Sequence, residues 1–365
     1  MTNRTGLLAA VFVCFLGWAS IARAQSVATP YLLQMIRDDA VHKELELTPQ
    51  QIDSTLTALR PIDAQWWPSR ILPADRQASV LPELETSLQN ALSSIFTPKQ
   101  INRLAQLRRQ AAGTRMLTQA DVIDALEITD QQQQSLSDTY AETDQTVKSV
   151  RSKLQKQSIS STAANADLRD AQATERSSVA NILTDTQRRR LASVTGATFD
   201  FSKVKRTYPM APEFMNDNAQ WIGTNATTPR MEDYRGNVTV VFFYAFQCIN
   251  CQRNFVHYRQ WHDELAEQGV QIVGIQTPET SAERDAQRVA AAYQSDQFDF
   301  PVLFDQSSDN WKAWGNTMWP TTYLIDKDGF IRRWWQGEMD WKDTGGHLQM
   351  RQTIVDLLSE SSRHS

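Results

Sequence analysis

Two cysteines three positions apart, in Cys248-Ile249-Asn250-Cys251, are the residues of this 365-residue chain best placed to do chemistry. A thiolate is the attacking species in thiol–disulfide exchange, and an ordinary cysteine is largely protonated at neutral pH. A helix starting at Cys248 would set its positive end and several unpaired amides against that sulfur. Such surroundings bring a thiol pKa into the range of about 3.5 to 7.5. Cys251 would follow one turn later on the same face, within reach of a mixed disulfide formed at Cys248. The spacing therefore assigns Cys248 as nucleophile and Cys251 as resolving thiol. No organic cofactor is implied, because the electrons reside on the Cys248–Cys251 pair itself.

The elements around this motif must present it. Val238–Tyr244 is an apolar run suited to a buried strand that feeds the cysteines, and Gln252–Gln268 is a helix pattern closed by Gly269. Val270–Gln276 reads as a second strand and Ser281–Ser295 as a helix. Thr321–Ile325 and Phe330–Gln336 flank Lys327-Asp328-Gly329, a hairpin signal, and His347–Ser359 is a final helix. The order β-α-β-α-β-β-α is that of a thioredoxin core. Trp319-Pro320 precedes one of these strands, which would put Pro320 beside the cysteines. A cis peptide there would leave backbone groups open to an extended substrate chain. Trp319 and Phe246 are the aromatic residues expected to touch that chain.

In consistent order over residues 207–342, the segments Ala211-Pro212-Glu213-Phe214, Asp233-Tyr234-Arg235-Gly236-Asn237, Cys248–Cys251, Thr277-Pro278-Glu279, Trp319-Pro320-Thr321-Thr322-Tyr323-Leu324-Ile325-Asp326 and Gly337-Glu338 resemble the TlpA/ResA-type thioredoxin-like proteins. The match extends to the C-terminal domain of the DipZ type, which also has a Cys-Ile-Asn-Cys centre. The resemblance implies an extracytoplasmic thiol–disulfide oxidoreductase, usually on the reducing side. Its implied partners are a disulfide-bearing protein substrate and an external thiol donor, such as a membrane redox carrier. Ile249-Asn250 brings neither charge nor histidine between the cysteines, which disfavours a strong oxidant. Many thioredoxins hold a buried aspartate six residues before the first cysteine; here that position is Phe242. By family position, Glu279 is the candidate for the proton transfer that the aspartate performs.

Rival chemistries fit the residues less well. His257 and His262, the nearby histidines, share no compact ligand spacing with the cysteines, so no metal site is expected. Copper delivery would call on a histidine near the pair, for which His347 is the candidate. A peroxiredoxin pattern would need a proline and a threonine where Val241 and Ala245 stand.

The N-terminal half carries a different signature. Leu47-Thr48-Pro49-Gln50-Gln51, Phe96-Thr97-Pro98-Lys99-Gln100, Ile128-Thr129-Asp130-Gln131-Gln132 and Leu183-Thr184-Asp185-Thr186-Gln187 all read apolar-Thr-x-x-Gln. Threonine followed three residues later by glutamine is a capping box, and proline fits the first helical position. The order of the four starts predicts a duplicated unit, residues 25–113 and 114–197, followed by a linker at 198–209 and a thioredoxin-like domain at 210–365. Leu136, Tyr140, Val147, Val150 and Leu154 predict a long helix whose narrow seam packs on a sister helix. Trp66-Trp67-Pro68 interrupts the first unit as a core plug. The repeated pattern resembles the LTxxQ motif of Spy/CpxP-type periplasmic helical proteins, some of which bind unfolded chains. A helical partner-binding or chaperone-like protein is therefore the alternative reading.

Residues 1–24 read as a secretory signal, with Arg4 at its start, Leu7–Trp18 as its apolar stretch and cleavage after Ala24. That stretch falls short of the ~20 residues that a spanning helix needs. Loss of the segment removes Arg4 and Arg23, taking the net charge from −5 to −7. An acidic exported chain is not suited to nucleic acid. Its one remaining cysteine pair reads as a working site rather than a structural staple. The expectation is a duplicated all-α N-terminal module followed by a thioredoxin-fold domain, exported to the periplasm or another extracytoplasmic space.

Overall fold

The computed structural model describes residues 31–156, 158–216, 220–224 and 228–362; the expected signal segment, 1–24, lies outside them. The chain divides into two compact units, one comprising Thr55 and the residues before it together with Ala74–Val204, the other Leu56–Pro73 and Lys205–Ser365.

The first unit is helical. Its elements are α1 (Tyr31–Met35), α2 (Asp39–Glu44), the first part of α3 (Pro49–Ser69), α4 (Ala74–Ile95), α5 (Pro98–Ala112), α6 (Ala120–Leu126), α7 (Asp130–Gln155), α8 (Ser161–Ile182) and α9 (Asp185–Thr195). The four Thr-x-x-Gln segments begin α3, α5, α7 and α9. In each, the threonine hydroxyl accepts the glutamine N–H while the glutamine carbonyl oxygen accepts the threonine N–H. The glutamines then pair across the unit. Gln51 donates to Gln100 at 2.9 Å and receives at 3.1 Å; Gln132 donates to Gln187 at 2.8 Å and receives at 2.9 Å. Gln51 also donates to Ile95 O and Gln132 to Ile182 O. Gln100 reaches Glu46 O and Gln187 reaches Glu127 O; both of these glutamates are left-handed, at φ 52° and 53°. One motif thus closes two helix starts and ties each to the end of a neighbouring helix. The α7 seam packs on α8, burying Leu136, Tyr140 and Val150.

The second unit holds a six-stranded mixed sheet flanked by α10 (Ile249–Leu265), α11 (Ala286–Ser295), α12 (Asp309–Ala313) and α13 (Gly346–Ser359). Its strands are β1 (Gln220–Ile222), β2 (Val238–Tyr244), β3 (Val270–Gln276), β4 (Val302–Phe304), β5 (Thr321–Ile325) and β6 (Ile331–Gln336), in the order β1-β4-β3-β2-β5-β6. β2–β3 and β3–β4 are parallel, the other pairs antiparallel. A strand with elements on both faces reads as an unbroken apolar run, and all seven residues of β2 are buried. Val240, Phe242 and Tyr244 pack on one face with α10; Val241 and Phe243 pack on the other. The expected strands are all present and the expected helices appear with shifted ends, but β1 and β4 were not anticipated. Three residues each is too short to show a period.

The expected boundary of the first repeat also differs from the structure. Leu56–Pro73 belongs to the second unit. Trp67 is buried there, edge-on to Tyr208, Tyr323 and Trp334, with ring centroids 5.2–6.1 Å apart. The Arg70 guanidinium lies 3.8 Å over the Trp67 ring and donates to Trp314 O, Gly315 O and the Tyr323 hydroxyl. The plug expected from Trp66-Trp67-Pro68 is real, but it fills the core of the sheet unit.

Candidate active site

β2 ends at Tyr244, the chain turns through Ala245–Gln247, and Cys248 is the N-cap of α10. The turn closes by Cys248 N–H donating to Ala245 O at 3.1 Å, and the helix begins with Cys251 and Gln252 donating to Cys248 O. Both cysteines are free thiols, but their surroundings differ. Cys248 is half-buried, whereas Cys251 is fully buried in the core cluster of Tyr244, Phe255 and Tyr258. The Cys251 thiol, with the backbone amides of Cys251 and Asn250, favours a thiolate at Cys248; partial burial and the Glu279 charge oppose it. The net effect lowers the Cys248 pKa from 9.0 to about 7. Burial, reinforced by the neighbouring Cys248, pushes the Cys251 thiol far above its ordinary range. The two sulfurs thus differ both in exposure and in their tendency to ionise.

Phe246, Cys248 and Trp319 are partly buried and pack against the core cluster that contains Cys251. The Trp319–Pro320 bond is cis. Trp319 is half-buried; its indole donates to Thr277 O at 3.1 Å and stacks on Trp311 at 4.0 Å. Pro320 is buried, and its carbonyl accepts the Gly337 amide at 2.8 Å. Beside the cysteine and the tryptophan, Ile249 and Met318 stand 58% and 45% exposed, an apolar rim at the site.

Phe242 takes up the space that a buried acid occupies in many thioredoxins. Its ring stacks on Tyr258 with centroids 3.9 Å apart and lies among Tyr244, Phe298 and Phe300. The Tyr258 hydroxyl is bonded to Thr322 Oγ1 at 2.6 Å, and burial raises the pKa of Tyr258 and Tyr244. Neither phenol is a base at neutral pH. Glu279 is exposed, and its charge acts on both sulfurs.

Glu283 was not anticipated. Its side chain is fully buried and accepts backbone N–H groups from Gln247 at 2.7 Å and from Glu279 and Thr280 at 2.8 Å. It therefore ties the residue before Cys248 to the loop that carries Glu279. The signal was in the chain: Thr280-Ser281-Ala282-Glu283 is a capping box, here closing a one-turn 3-10 helix at Ser281–Arg284. For that reason α11 starts at Ala286 on a fresh cap, Asp285, and not at Ser281.

Neither His257 nor His347 joins the cysteines in a metal-ligating group. Among the described residues, both converge instead with Asp340.

The family comparison agrees with this geometry. Residues 209–334 match the AhpC/TSA family. The C-terminal unit carries that domain, with the thioredoxin arrangement of sheet and helices. A 137-residue stretch is 32% identical to Protein DipZ of Mycobacterium bovis, covering 37% of this chain and 19% of that one. A 122-residue stretch is 29% identical to the thiol-disulfide oxidoreductase ResA of Geobacillus thermodenitrificans, covering 33% and 66%. The chain thus spans about a fifth of DipZ and just under two thirds of ResA. Among solved structures, a thiol-disulfide isomerase from Corynebacterium glutamicum is 21% identical over 39% of this chain and 92% of that one, with a TM-score of 0.33.

Proposed function

We propose that this chain is an extracytoplasmic thiol–disulfide oxidoreductase that reduces protein disulfides through Cys248 and Cys251. The observation that carries the reading is the contrast between the two thiols: one half-exposed with a pKa of about 7, the other buried and held protonated. A nucleophile near pKa 7 matches thioredoxin, whereas strongly oxidising dithiol proteins sit near about 3.5. The Cys248 thiolate attacks one sulfur of a substrate disulfide. That bond breaks, a Cys248–substrate mixed disulfide forms, and the departing thiolate takes a proton. Cys251 then gives up its proton, with Glu279 as the acceptor, and its sulfur attacks that of Cys248. The second substrate thiolate leaves and takes up a proton, Glu279 releases the one it accepted, and the pair is now a Cys248–Cys251 disulfide. The substrate has gained two electrons and two protons, and an external dithiol donor returns them to the enzyme.

Phe246, Trp319, Ile249 and Met318 give the substrate chain an apolar seat, and the backbone beside Pro320 pairs with it as a strand would. Export rests on the leading segment of the sequence. No helix among the described residues is long and apolar enough to cross a membrane. Equilibration with a defined thiol buffer, read by alkylation and mass, tests the direction. A potential near about −270 mV fits a reductase; one near roughly −120 mV makes the protein a disulfide donor and overturns the reading.

A further inference from the structure

A second group of reactive side chains lies apart from the dithiol. His257 on α10, Asp340 in the loop after β6 and His347 at the start of α13 face one another. His257 Nε2 is 3.0 Å from Asp340 Oδ2, and His347 Nδ1 contacts Oδ1 of the same carboxylate. The two imidazoles are parallel within 6°, with centroids 4.5 Å apart. The three ligand atoms all lie within 4.8 Å of one another.

The arrangement is held from several sides. His257 is buried with its ring beside Trp261. Asn254, one turn earlier on α10 and fully buried, donates to Gly337 O at 3.2 Å and accepts the Met339 amide at 3.0 Å. Met339 O in turn accepts from Gly346 N and Thr344 Oγ1, both at 2.9 Å. Position 346 has no room for a side chain, since a Cβ there would meet Met339 O at 2.3 Å and the Trp335 ring at 2.5 Å. The backbone on both sides of Asp340 and the first turn of α13 are thereby fixed against α10.

Two imidazole nitrogens and a carboxylate oxygen form a donor set suited to borderline divalent ions such as Zn²⁺. Metal–ligand bonds of about 2.0–2.2 Å place tetrahedral ligands about 3.3 Å apart. The observed 3.0 Å between His257 and Asp340 is close to that spacing. His347 is half-exposed, so its ring would have room to turn out of the stack to complete the set. We propose that His257, Asp340 and His347 bind one divalent transition-metal ion of the zinc class, with water in the fourth position, and so tie α10 to α13. The ion does not share the cysteines. At 100° and 1.5 Å per residue, His257 is about 9 Å beyond Cys251 along α10 and turned about 120° from it. The spacing that argued against a cysteine–histidine metal site has no bearing on a site without cysteines.

Thiols compete for the same ions, so the test uses the full chain carrying Cys248→Ser and Cys251→Ser, titrated with Zn²⁺ by calorimetry. One Zn²⁺ per chain is expected, with affinity at least tenfold weaker after His347→Ala or Asp340→Asn, and a Zn²⁺-induced rise in melting temperature that those variants lose. His347→Ala is the deciding variant because its ring is half-exposed; its circular dichroism should match the parent. Absence of Zn²⁺ binding in the cysteine-free chain overturns the proposal, as does binding that neither substitution weakens.

Discussion

The two units use the start of a helix in opposite ways. In the helical unit, threonine at the N-cap and glutamine three residues on close the first turn with their side chains. In the sheet unit, Cys248 and Cys251 occupy the same two positions of α10, yet Cys248 makes no cap hydrogen bond. The amides of Asn250 and Cys251 remain for a sulfur that can take a charge. Spacing alone therefore does not separate a structural motif from a chemical one. What separates them is whether the amides at the helix end meet neutral oxygens or an ionisable group.

The strongest way to test that contrast is to remove the ionisable group. Cys248→Ser should abolish disulfide reduction, by at least about 10³-fold, because a hydroxyl does not supply the nucleophile at neutral pH. The melting temperature should stay close to that of the parent, since Cys248 is half-buried and makes no cap bond. Cys251→Ser should instead accumulate a mixed disulfide with substrate, seen by mass. In the parent, alkylation of Cys248 should rise with pH about a midpoint near 7, because the lowered pKa puts the reactive thiolate above that value. Cys251 should stay unmodified in the folded protein. A midpoint near 9.0 would mean that neither the Cys251 thiol nor the open helix start favours the thiolate at Cys248.

Trp67→Ala probes the sheet unit through a residue that comes from the N-terminal half of the sequence. Removing a buried tryptophan should cost about 3–5 kcal/mol, read by denaturant unfolding. Glu283→Ala comes next, at about 3 kcal/mol, because three backbone N–H groups lose their acceptor. Glu283→Ala should also slow resolution of the mixed disulfide, since the loop carrying Glu279 loses its tie to the residue before Cys248. A variant with parental stability and resolution rate would show that the Glu283 bonds position nothing.

The site was most legible where its physics is local. The seven-residue β2 run, the cysteine spacing and the Trp319-Pro320 pair are all written in consecutive residues. So are the four Thr-x-x-Gln boxes, whose glutamines pair in the fold as Gln51 with Gln100 and Gln132 with Gln187. What was missed depends on distant partners. Trp67 looked like part of a helical repeat until Tyr323 and Trp334 surrounded it. His257, Asp340 and His347 carry no shared spacing, and only the packing of α13 near α10 brings them together. Glu283 is the instructive case, because its capping box was local and legible. The Thr280–Glu283 box opens a single 3-10 turn, whereas the Thr-x-x-Gln boxes of the N-terminal half open full α-helices.

The smallest expected effect bears on the closed helix starts. Gln132→Ala removes the acceptor for Thr129 N–H, the donors to Ile182 O and Gln187, and the acceptor for the Gln187 amide. Several of these groups lie near the surface, where water replaces the lost bonds, so the cost should be about 1–2 kcal/mol, in the range for a lost helix cap. Gln51→Ala should cost a similar amount, because its partners Gln100 and Ile95 repeat the arrangement. Neither should move the alkylation midpoint of Cys248. The double variant Gln132→Ala/Gln187→Ala should cost less than the sum of the singles, since each single change already leaves the partner amide without its mate. Strict additivity in a denaturant series would mean that the glutamines act only as separate caps, and that their pairing across the unit contributes nothing.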